Sequence, residues 1–72
     1  MDADDVARGV AHFTTVRQRD GRFHWELINP RGTPVVRSME TFDTEGAAAA
    51  NAEYARHLIS GAPIKRWATH TD

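Results

Sequence analysis

Residues 12–29 read HFTTVRQRDGRFHWELIN, two strand-like runs hinged on Asp20-Gly21. Asp-Gly between β-rich runs is a strong short-range hairpin signal, because glycine accepts a positive φ without a Cβ clash. Two registers compete. A two-residue loop of Asp20-Gly21 pairs Arg19 with Arg22 and sets Thr14 and Val16 beside Trp25 and Leu27. A three-residue loop with Gly21 left-handed closes Gln18 on Arg22. Phe13 and Thr15 then share a face with Phe23, Trp25 and Leu27. The second register is preferred, since it buries Phe13, a larger apolar group than Val16. In both, Phe23, Trp25 and Leu27 alternate with Arg22, His24 and Glu26, the period of a half-buried strand. The aromatics read as core.

Outward from this hairpin, strand one is expected over about Val10 to Arg19 and strand two over about Arg22 to Ile28. Asn29-Pro30-Arg31-Gly32 reads as a turn, with proline presetting φ at the second position and glycine suiting the fourth. Strand three follows from about Thr33 to Met39. Pro34 has no backbone donor, so that strand belongs at a sheet edge. A helix comes next, with Thr44 as N-cap, Glu45 in the positive first turn, Gly61 closing the end and Pro63 just beyond. Ala47, Ala48, Asn51, Ala52, Tyr54, Ala55, Leu58 and Ile59 fall on one arc, expected to face the sheet, and Ala49, Glu53, Arg56 and His57 fall opposite. Asn51 within that arc reads as a buried amide satisfied by backbone or by a partner chain. The tail carries Ile64 and Trp67, which either cover a sheet edge or dock on a second subunit. Residues 1–9 and 68–72 are expected to be flexible.

At 72 residues the chain is one domain with little interior. A domain of this size buries only about 60% of its unfolded surface, which favours dimerisation or a very compact core. A net charge of −1 argues against a general polyanion binder. With no cysteine there is neither a disulfide nor a thiolate metal site, and the chain fits a reducing cytoplasm. No apolar run is long enough to span a bilayer, and the acidic start MDADD is the reverse of a signal peptide.

The candidate chemistry is sparse. Arg17, Arg19, Arg22 and Arg37 form a candidate nucleic-acid-binding stripe, joined by Lys65 and Arg66, because guanidinium forks suit phosphates and guanine edges. The alternative is a solvated face whose arginines pair with Asp20, Glu26 and Glu40. His12, His24, His57 and His70 share no metal-ligand spacing. His24 beside Glu26 is the one local grouping of titratable side chains, and no serine or cysteine nucleophile stands near it in sequence. No enzyme, cofactor or metal is expected.

The order Phe13, Asp20-Gly21, Phe23, Trp25, Leu27, Gly32, Val35-Val36, Ser38, Phe42 and Ala48 resembles the YegP-like domains of unknown function, short bacterial modules. The resemblance covers about Phe13 to Ile59. The family's usual Asn-Gly turn is Arg31-Gly32 here, and its Asn-Gly-Ile in the helix is Ala50-Asn51-Ala52. The resemblance implies a three-stranded sheet plus helix, found as tandem repeats or as dimers of single repeats, and it carries no activity. A second likeness runs through Val16-Arg17-Gln18-Arg19, Gly21-Arg22-Phe23, Trp25-Glu26-Leu27, Pro30 and Thr41-Phe42-Asp43-Thr44. These look like the plant ethylene-response-factor type of DNA-binding domain, related to integrase-like domains, which reads the major groove from a three-stranded sheet. Arg17, Arg19 and Glu26 match its pattern. Ser38 stands where that family has its strand-three tryptophan, and Ile28 and Val36 where it has groove-facing arginines.

The expected architecture is α+β: a three-stranded antiparallel meander packed against one long C-terminal α-helix, a single domain over residues 1–72. The expected function is a small cytoplasmic binding or assembly module that pairs with itself, with Ile64 and Trp67 at the dimer interface. The alternative is a DNA-binding module using the arginine-bearing sheet face.

Overall fold

The computed structural model describes residues 9–65. The expectations for residues 1–8 and 66–72, Trp67 included, lie outside that range. Within it the chain forms β1 (His12–Arg17), β2 (Phe23–Ile28), β3 (Pro34–Arg37) and α1 (Glu45–Gly61). The strands make one antiparallel sheet in the order β1-β2-β3.

Both hairpins use the same device. The Gln18 N–H donates to the Arg22 carbonyl at 2.7 Å, and the Gly21 N–H donates to the Gln18 carbonyl at 3.0 Å. In the second loop Asn29 and Thr33 take the places of Gln18 and Arg22, with bonds of 2.8 and 2.9 Å. Gly21 and Gly32 sit at φ 87° and 89°. Each loop is thus a tight turn finished by a left-handed residue, a conformation that costs an L-residue about 1–2 kcal/mol. Side chains brace both turns. Asp20 Oδ1 accepts from the Arg22 N–H, and Asn29 Oδ1 accepts from the Arg31 and Thr33 N–H groups.

The first loop fixes the register. Phe13 pairs with Leu27, Thr15 with Trp25 and Arg17 with Phe23. That is the preferred register, with Phe13 and Trp25 on one face, their rings edge to face at 5.3 Å between centroids. Strand three is shorter than expected, yet its ladder outlasts it. The Ser38 N–H donates to the Trp25 carbonyl, and Ser38 Oγ accepts from the Trp25 N–H. Phe23 and Phe42 then exchange two backbone bonds of 2.8 Å, which ties the connection into α1 to the sheet. As Pro34 requires, β3 is an edge.

Thr44 caps α1, its Oγ1 accepting from the Ala47 N–H at 3.1 Å. The C-terminus ends differently from the expected glycine closure. Gly61 remains the last helical residue, and Ala62 is the extended cap at φ −84°, ψ 127°. Pro63 supplies the reason, since the residue before a proline is pushed out of the helical region. The helix packs by its alanines, with Ala48 and Ala52 buried against the sheet beside Trp25. Of the expected arc, Tyr54, Leu58 and Ile59 remain 62%, 53% and 47% exposed. A small sheet covers only the strip centred on Ala48 and Ala52, and bulkier residues on its flanks reach past it. On the opposite face of the sheet His24 and Ile28 are also buried.

Two predictions follow from the first loop. No atom lies within 4 Å of a Cβ built on Gly21, so Gly21→Ala should cost only the backbone strain, about 1–2 kcal/mol, read as a lower urea midpoint. The Asp20 carboxyl is held below its usual value, first by the Arg22 N–H that it accepts and also by the Gln18 amide. A carboxyl lowered in the folded state adds stability at higher pH and loses it as pH falls through the lowered value. The stability difference between wild type and Asp20→Asn should therefore stay constant above about pH 5 and shrink below about pH 4.

Candidate functional site

An open groove of about 690 Å³ lies between β1 and α1. Phe13, Leu27, Ala49, Ala52 and Ile59 give it an apolar lining, and Thr15, Glu45, Glu53, Arg56 and Ser60 supply its polar groups. At one end the Thr15 hydroxyl donates to Glu45 Oε2 at 2.8 Å. Along the helix wall Arg56 donates to Glu53, whose carboxylate also lies 3.2 Å from His57 Nε2. Arg56 holds the Glu53 carboxyl below its usual value, and Glu53 raises Arg56 in return. Ala49, Glu53 and Arg56 are exposed, as expected of the solvent side, and also border the open groove.

Trp25 lies buried between the sheet and α1. Its indole N–H donates to Asn51 Oδ1 at 2.8 Å. The Asn51 side-chain oxygen is thus engaged by a side chain of the sheet, and this bond helps fix how α1 sits over β2.

On the other face His24 is clamped at 5% exposure. Its Nδ1 lies 2.8 Å from Gln18 Oε1 and its Nε2 3.0 Å from Glu26 Oε2. The Gln18 amide in turn donates to the Asp20 carboxylate at 3.2 Å. Both ring nitrogens are engaged, so the expected His24–Glu26 grouping forms as a structural clamp joining the first loop to β2. Val16 stands opposite His24. Among the described residues no group of histidine, aspartate and glutamate could hold a metal ion.

The four candidate arginines are not brought together. Arg17 pairs with Phe23 and so takes the helix side of the sheet, whereas Arg37 pairs with Glu26 on the other side. Arg19 is exposed in the first loop. Arg22 donates through Nε to Thr41 Oγ1 at 2.6 Å, through Nη2 to the Thr41 carbonyl at 2.8 Å, and through Nη1 to Asp43. It clips the first loop to the segment entering α1. Sequence reasoning missed this role, since Thr41 and Asp43 are reached only after the chain has folded back. Ile64 is 88% exposed.

No protein-family model matches the chain, and no curated protein matches it significantly. A solved structure, the NMR solution structure of a protein from Haloferax volcanii, is similar with a TM-score of 0.67. The match covers 78% of this chain and 93% of the other at 20% identity, and it shows a shared fold. No described helix is long and apolar enough to cross a membrane.

The Trp25–Asn51 bond is open to a direct test. Asn51→Ala should destabilise the protein by about 1–3 kcal/mol, because it leaves the indole donor without its acceptor. In a Trp25→Phe background the same change should cost less, by a coupling of about 1 kcal/mol. Equal costs in the two backgrounds, measured by urea unfolding, would show that the bond contributes nothing.

Proposed function

We propose that the chain is a small non-enzymatic assembly module, of YegP-like kinship and cytoplasmic, that works as a homodimer. The observation that carries this reading is the unfilled groove, in which Ile59 stays exposed beside the half-buried Phe13 and Leu27. A monomer normally closes such a lining over itself, and contiguous accessible apolar surface marks an interaction site. The exposed Leu58 and Ile64 add to it. Among the described residues only Trp25, Ile28, Ala48 and Ala52 form the buried apolar core. A core this small gains from a partner. The second reading, DNA binding through Arg17, Arg19, Arg22 and Arg37, draws no support from a placement that divides them between faces and occupies Arg22.

Light scattering on the wild type and on a chain truncated after Gly61 tests the proposal. The wild type should show twice the 8.0 kDa chain mass. The truncated chain, which lacks Ile64 and Trp67, should fall to a monomer or unfold. A wild type that stays monomeric at every concentration would overturn the reading.

A further inference from the structure

The two edges of the sheet differ in what they offer an approaching strand. β3 is four residues long, starts at Pro34 and meets β2 through an irregularity at Leu27/Ile28. Short length, proline and bulges are among the devices that stop an edge from pairing. β1 is six residues long, pairs with β2 without interruption, and from His12 to Val16 carries neither a proline nor a formal charge. One edge is blunted and the other is open.

The hydrogen-bond parity says which groups β1 offers. Gln18 donates to Arg22 across the first loop, so the even-numbered residues of β1 exchange bonds with β2. The N–H and C=O groups of Phe13, Thr15 and Arg17 therefore point away from the sheet. Among the described residues no strand pairs with them.

Resting on the homodimer reading, we propose that a second copy of this chain pairs with it β1 to β1, antiparallel, about a twofold axis through Thr15. Residues of one face must meet residues of the same face, which confines such an axis to Thr14 or Thr15. An axis through Thr14 leaves Arg17 opposite Ala11, which lies before the start of β1. An axis through Thr15 pairs Thr15 with Thr15 and Phe13 with Arg17 in both directions, so every outward group of both strands finds a partner within β1. Charge agrees. Arg17 makes no ion pair with a described residue, and its parity directs it to the helix side. Opposite Phe13 of the partner it enters the partner's groove, where Glu45 and Glu53 supply carboxylates. The twofold repeats that pairing, and the two grooves close on each other.

The chain has no cysteine, so a single Thr15→Cys variant can form a disulfide only with another copy. Bonded antiparallel pairs stand about 5.5 Å apart at Cα, within disulfide range. Mild oxidation should convert Thr15→Cys to a covalent dimer, while Val36→Cys, on β3, should remain uncrosslinked. In the wild type the Phe13, Thr15 and Arg17 amides should exchange with deuterium about a hundredfold more slowly than exposed amides. A wild-type dimer with no Thr15→Cys crosslink and fast exchange at those amides would overturn the β1 pairing and leave the homodimer reading standing. A wild type monomeric throughout would overturn both.

Discussion

Everything in this fold depends on the three-residue loop between Gln18 and Arg22. Because strand side chains alternate, one residue more or less in that loop would exchange the two faces of β1 against β2. Phe13 would leave Trp25, and Val16 would take its place under the helix. Gly21, in a conformation that disfavours any residue with a Cβ, makes the longer loop inexpensive. The side chains around it add to the same choice. Asp20 accepts from the Arg22 backbone and holds the Gln18 amide, which meets His24. The loop is thus anchored to β2 by a chain of polar contacts as well as by the backbone ladder.

Once the register is set, Trp25 becomes the pivot between layers. It packs edge-on to Phe13, donates its indole N–H to Asn51 and lies where Ala48 and Ala52 bring the helix backbone close. A large ring against small residues permits a short distance between layers, and one directed bond fixes the position of the helix. Arg22 holds the other end of the same assembly through Thr41 and Asp43. Two side chains from a single hairpin therefore determine where α1 begins and how it lies.

Much of this was legible in the chain itself. The turn chemistry of Asp20-Gly21 and Asn29-Pro30-Arg31-Gly32 marked both hairpins, and the greater apolar bulk of Phe13 over Val16 identified the register. Thr44 read correctly as a cap because capping depends on local geometry alone. What depended on the size of the sheet did not read through. The apolar arc that includes Tyr54 and Leu58 is wider than the surface available to cover it, and periodicity carries no measure of that surface. Gly61 had the composition of a helix stop, but Pro63, acting through Ala62, set the end. The arginine stripe failed to assemble for a similar reason. Residue type places a guanidinium on a strand, while the register and a distant Asp43 decide its face and its partner.

The asymmetry of the sheet edges connects this architecture to its surface chemistry. Pro34 and the irregular pairing opposite Leu27/Ile28 fall on β3, the strand remote from the groove, whereas β1 and β3 each end in an arginine. On β1, which borders the groove, the run Phe13-Thr14-Thr15-Val16 combines strong strand formers without a charge to repel a neighbour. If the open edge were only an accident of a small fold, the blunting devices would be expected on both sides, since either edge alone can template aggregation. The proline and the irregular pairing on β3 agree with the proposed pairing along β1. The proposed pairing joins the small buried core and the open β1 edge in one account, in which a second copy completes the sheet from the side where its groove lies.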